Sequence, residues 1–165
     1  MAMVGLFWIT ADAVYVGAPP GTEGRAVRLT EKGVEAGGVA GGHRVWTWEE
    51  LRSATVEGAP VHGAFRRRLA LAVEIVLTAA LGGTGEPGQM LLRLETDSGA
   101  EELAVHSAAA GAYDREEFAL SQDLLARFVD GSASPRTLTA WGRVAGDTTP
   151  KSPERQALLR NWTGG

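Results

Sequence analysis

Three histidines, His43, His62 and His106, are the side chains in this chain best suited to proton transfer or metal ligation, because imidazole titrates near neutral pH and offers a nitrogen lone pair. None has a second histidine at ligand spacing. Cysteine is absent, which removes thiolate metal sites, disulfides and cysteine nucleophiles together. Acidic pairs stand at Glu49-Glu50, Glu101-Glu102 and Glu116-Glu117. Neighbouring residues point to opposite faces of a strand and lie ~100° apart on a helix, so none of these is a preformed acid/base dyad. Solvation and helix capping account for them better. No phosphate loop, dinucleotide fingerprint or nucleophile elbow is present. The catalytic alternative is a small enzyme whose site is assembled from His106, Asp97 and arginines at the rim of a barrel; neither a metal nor a cofactor is expected.

The residue types that remain are suited to binding. Arg66, Arg67 and Arg68 form the one concentrated charge feature, and with Arg25, Arg28 and Arg44 they could make a patch for an anionic headgroup, a phosphate or an acidic partner. The alternative is three solvated arginines at an element's end. At a helix start they oppose the helix dipole, which favours a tertiary or functional partner for them. Five tryptophans are present, and Trp46 and Trp48 share a face if Arg44 to Trp48 is a strand. That face is expected to be core; exposed, the two indoles would be a protein-binding hot spot.

The elements that position these residues are mostly short strands. Leu6 to Thr10 and Val14 to Gly17 read as a hairpin, as do Ala26 to Thr30 and Val34 to Ala36 around Glu31-Lys32-Gly33. Arg44 to Trp48 alternates in polarity, and Ser53 to Glu57 follows a bend at Glu49-Glu50-Leu51. Met90 to Thr96 and Glu101 to His106 flank the turn Asp97-Ser98-Gly99 in the clearest hairpin. Between the last two hairpins, residues 69–81 have a strand-like face of Leu69, Leu71, Val73, Ile75 and Leu77. They also read as a helix, which we prefer, because thirteen residues exceed the usual strand and Gly82-Gly83 is a stop. Asp114 with Glu117 predicts a capping box opening a helix at about residue 115, ended by Gly131. Ser134-Pro135 and Ser152-Pro153 predict two further short helices, over 135–143 and 153–161, joined by a mobile run at residues 146–150.

This order of strands, the return at Glu31-Lys32-Gly33-Val34, the aromatic strand ending in Trp48-Glu49-Glu50-Leu51, and an amphipathic helix after the last hairpin resemble the bacterial pleckstrin-homology-like (PH-like) family. The resemblance covers residues 4–130. It implies an α+β, mainly β fold: a curled antiparallel seven-stranded sheet or barrel closed by its C-terminal helix, here with an inserted helix. It also implies one of several non-catalytic roles, among them phosphoinositide binding, peptide binding and scaffolding.

Residues 131–165 are then a helical tail. Its Trp141 and Trp162 lie in helices too short to be stable alone, so they are expected to dock on the barrel, on a second copy or on a partner. A net charge of −4 argues against nucleic-acid binding. With no export signal at the N-terminus, a cytoplasmic binding or scaffolding module that recognises a protein segment is the expected function. An anionic lipid or phosphate ligand, with peripheral membrane contact, is the alternative, and a homodimer is a further expectation.

Overall fold

The alternating polarity of the N-terminal third forms an antiparallel meander in the computed structural model, which describes residues 1–21, 24–38, 42–62, 88–109 and 111–164. Its strands are β1 (Ala2–Val4), β2 (Phe7–Ile9), β3 (Val14–Val16), β4 (Ala26–Leu29), β5 (Gly33–Gly37) and β6 (Arg44–Thr47), paired in chain order. Inward positions carry Val4, Phe7, Ile9, Val14, Val16, Val27, Leu29 and Val34, all buried. Period-2 burial fixes the register, because a one-residue slip would turn this set to solvent.

The chain then turns at Trp48–Glu50. The Glu50 carboxylate accepts from the Thr47 amide (2.9 Å) and the Trp48 amide donates to Lys32 O (3.2 Å). A second antiparallel sheet follows, β7 (Leu51–Glu57), β8 (Gln89–Thr96) and β9 (Gly99–His106). Its Leu51, Ala54, Val56, Met90, Leu92, Leu94 and Val105 join the same core.

Three helices complete the described fold: α1 (Arg115–Asp130), α2 (Pro135–Ala145) and α3 (Ser152–Trp162). Asp114 caps α1 by accepting from the Glu116 and Glu117 amides, and Gly131 ends it at φ 81°. Leu124, Leu125 and Phe128 bury its apolar stripe, with Phe128 set edge-on to Phe7 at 6.1 Å. Gln122 donates to Val56 O (2.7 Å) and accepts from Val56 N (3.0 Å). It thereby pairs the free edge of β7 as a neighbouring strand would.

Four expectations are corrected. Among the described residues the strands number nine in two sheets, not seven in one curled sheet, and neither sheet closes on itself. The added strand β1 exists because Gly5, at φ 57°, makes a two-residue turn back into β2. The capping box is half formed, since the Glu117 carboxylate is turned towards α3 instead of its own N-cap. At α3 the N-cap is Lys151, not Ser152, whose hydroxyl donates to Glu117 (2.7 Å). The inserted helix predicted over 69–81, like the Arg66 to Arg68 triplet before it, lies outside the described residues.

Candidate functional site

The two tail helices reach the body in different ways. The α3 helix lies on α1 through a buried polar contact: Glu117, 2% exposed, accepts from Arg155 Nε (2.9 Å) and from Ser152. Arg155 also donates to Pro150 O (2.6 Å). Ser121 Oγ donates to Glu117 O (2.6 Å) and accepts from Leu6 N (3.1 Å), which fastens the β1–β2 turn to α1. A Cβ on Gly5 would fall 2.1 Å from that hydroxyl, so only glycine permits the approach. The linker before α3 is tied as well, because Thr149 Oγ1 accepts from the Met3 amide (3.1 Å) at the edge of β1.

The α2 helix runs past the β2–β3 and β4–β5 turns. Leu138 is fully buried, and Gly142 sits so close to Thr10 that a Cβ would come within 2.5 Å of its carbonyl oxygen. Both flanks of α2 remain accessible. On one side an open apolar groove of about 430 Å³ runs between α2 and α3, lined by Trp141, Pro150, Glu154, Ala157, Leu158 and Asn161. Trp141 and Leu158 are half-buried, and Trp141 meets Trp162 edge-on at 5.7 Å. Val144, three residues along α2, is 89% exposed.

On the other side, Arg136, Thr139 and Arg143, spaced i, i+3, i+7, face a charged cleft of about 620 Å³ shared with Arg28, Lys32 and Glu35. Arg143 Nε donates to Ala11 O (3.0 Å) and Arg28 to Asp12 O (3.4 Å), contacts that orient both guanidinium groups without neutralising them. Arg136 lies 3.7 Å from Glu31. Asp12, Glu31 and Glu35 also line the cleft, so its charge is mixed.

The residues singled out in the sequence are dispersed. Trp46 and Trp48 do share the core face. Trp46 is 7% exposed, and half-buried Trp48 packs on Phe128 at 5.8 Å while its indole N–H donates to Thr30 O (2.9 Å). Their apolar surface is thus taken up inside the fold, and the two do not form the surface hot spot considered above. Arg44 stacks over Trp46, 4.6 Å from the ring centroid, and makes a double hydrogen bond to Glu101 (3.0 and 3.2 Å). That hydrogen bond, helped by the charge of Arg44, holds the Glu101 carboxyl below its ordinary value and raises that of Arg44.

His106 ends the eight-residue β9 and Asp97 lies in the turn before its other end, and the two ends are about 24 Å apart at ~3.4 Å per residue. Asp97 is paired with Arg52. A site using both His106 and Asp97 therefore does not form. Among the described residues no cluster of histidine, aspartate and glutamate has a metal-binding arrangement. No described helix is long and apolar enough to cross a membrane.

The groove was not drawn from the sequence as a site, although one signal was present. Leu138 and Gly142 take the inward positions of α2, with Trp141 and Ala145 half-buried at their border, which leaves Val144 as an apolar residue at a solvent position. No protein-family model matches the chain, and no curated protein or solved structure matches it either.

Proposed function

We propose that this protein is a non-catalytic binding module of the cytoplasm that recognises a segment of another protein in the groove between α2 and α3. The observation that carries this reading is an apolar floor of Trp141, Ala157 and Leu158 open to solvent, with the exposed Val144 three residues along α2 from Trp141. Exposed apolar surface of this kind on a folded chain marks an interaction site, and tryptophan is the residue most enriched in binding hot spots. The polar rim sets the chemistry of the partner. Glu154 favours a basic residue and Asn161 a backbone amide or carbonyl beside one bulky aliphatic or aromatic side chain.

The finer fold assignment belongs to the same proposal. Among the described residues, seven strands, β3 to β9, precede α1, which supports a PH-like reading in which the β1–β2 hairpin edge and the α2–α3 tail are additions. The tail is the part that distinguishes this chain, and the groove lies on it.

Selection of peptides from a displayed random library on the intact protein tests the function. Enriched sequences should carry a bulky apolar residue next to lysine or arginine. Their affinity should fall about 30-fold or more in Trp141→Ala, the ratio for a hot spot worth ~2 kcal/mol. Selection that returns no shared motif, or peptides that bind Trp141→Ala as well as the parent, would reject the groove.

A second reading rests on the charged cleft. Arg28, Lys32 and Arg143 have no carboxylate partner among the described residues, and they suit an oxyanion. The three acids in the same lining make it the weaker reading. Titration with inorganic phosphate, read at the Arg143 side chain by NMR, separates it from the first.

A further inference from the structure

The register of the six-stranded sheet places Met3, Trp8, Tyr15, Arg28, Glu35 and Val45 in one row across all six strands, each opposite the next. The row lies on the outer face, since the residues flanking it along β1 to β4 are buried. An antiparallel sheet with one wet face normally alternates apolar inside and polar outside. This row instead carries Met3, which packs against the core, Trp8, whose indole N–H donates to the Met1 sulfur (3.1 Å), and Tyr15 and Val45. Trp8 and Tyr15 are half-buried without packing on the core cluster, and Val45 is 44% exposed. Arg28 and Glu35 stand directly opposite each other, yet they form no ion pair with one another or with any other described residue.

We infer that this face is an interface with a second copy of the chain. A two-fold axis in the plane of the interface, parallel to the strands and midway between β4 and β5, reverses the order of the row. It sets Arg28 against the second copy's glutamate and Glu35 against its arginine. The same operation sets Tyr15 against the valine of β6, and Val45 against the tyrosine of β3. The four central residues of the row, Tyr15, Arg28, Glu35 and Val45, are therefore complementary to themselves about one axis, as an isologous contact requires, while Met3 and Trp8 on β1 and β2 lie beyond the overlap. This choice of occupant follows from the charges. A partner of another sequence has no reason to match an arginine and a glutamate one strand apart, whereas a second copy supplies both in reverse order. Like charges brought face to face across such an interface are strongly unfavourable, which gives the test its sign.

Sedimentation equilibrium of the intact chain should show a monomer–dimer equilibrium. Arg28→Glu and Glu35→Arg should each weaken association at least about tenfold, and the double variant should return to near the parent value, with circular dichroism reporting that all three fold. Because the chain has no cysteine, Tyr15→Cys mixed with Val45→Cys under mild oxidation should give a cross-linked heterodimer, unlike either variant with Met1→Cys. A parent that stays monomeric at every concentration overturns the inference. So does a double variant no better than the singles, or cross-linking indifferent to the pairing.

Discussion

The two tail helices are of equal length and dock on the same body, but they meet it differently. The contact of α3 with α1 is closed: Arg155 and Ser152 satisfy the Glu117 carboxylate, and the fully buried Leu159 fills the gap near Gly5. The α2 helix buries Leu138 and Gly142 and keeps an apolar groove on one flank and a charged cleft on the other. A buried polar group costs free energy unless it is paired, so the α3 contact is committed to structure. The solvent-facing side chains of both helices bear no such constraint, and the groove where a ligand can be met takes Trp141 from α2 and Glu154, Ala157, Leu158 and Asn161 from the side of α3 turned away from Glu117.

This contrast predicts unequal responses to mutation. The largest loss should follow Arg155→Met, which leaves Glu117 buried without its cation; removing one partner of a buried pair costs about 3–5 kcal/mol. Urea unfolding measures it, and a loss below ~1 kcal/mol would mean that α3 is not anchored through this pair. Adding Glu117→Gln to Arg155→Met should recover part of the stability, since both charges are then gone.

Next in size is Leu138→Ala on the inward side of α2, expected to cost about 2–5 kcal/mol because the side chain is fully buried. Val144→Ala, on the outward side of the same helix, should be nearly neutral. Equal effects at the two positions would remove the distinction between the faces of α2.

The smallest effect belongs to the exposed Arg44–Glu101 pair between the two sheets. The carboxyl of Glu101 is held below its ordinary value of 4.5 by its hydrogen bond to Arg44, so its contribution is present above that pH and lost as pH falls through the lowered value. The melting temperature of Glu101→Gln should lie slightly below that of the parent at neutral pH and converge with it in acid, as pH falls through the lowered value of Glu101. A difference that persists or grows in acid would reject this assignment.

Much of the architecture was legible because it is written in local patterns. The hairpins around residues 10–13, 30–33 and 97–98, the Asp114 cap and the Gly131 stop depend on period-2 alternation, a short polar side chain and a glycine, each confined to a few residues. The site was less legible because it depends on distant pairings. Nothing near Glu117 indicates that Arg155 and Ser152, 38 and 35 positions on, will draw its carboxylate away from the capping box. The groove likewise needs Trp141 and Leu158 from two helices whose relative placement is set by Gly142 against Thr10 and by Leu159 near Gly5. Trp46 and Trp48 both pack towards the core, the side expected for them, although Trp48 lies in the turn after β6 and not in the strand.

The central claim is that the groove beside α2 receives a protein segment. Amide chemical-shift mapping of the intact chain, with a peptide enriched in the library selection, tests it most directly. The account predicts shifts concentrated at Trp141, Val144, Leu158 and Asn161, with the Trp141 indole N–H among the largest. Shifts centred on the sheets or on the charged cleft, with those four unmoved at saturation, would contradict it.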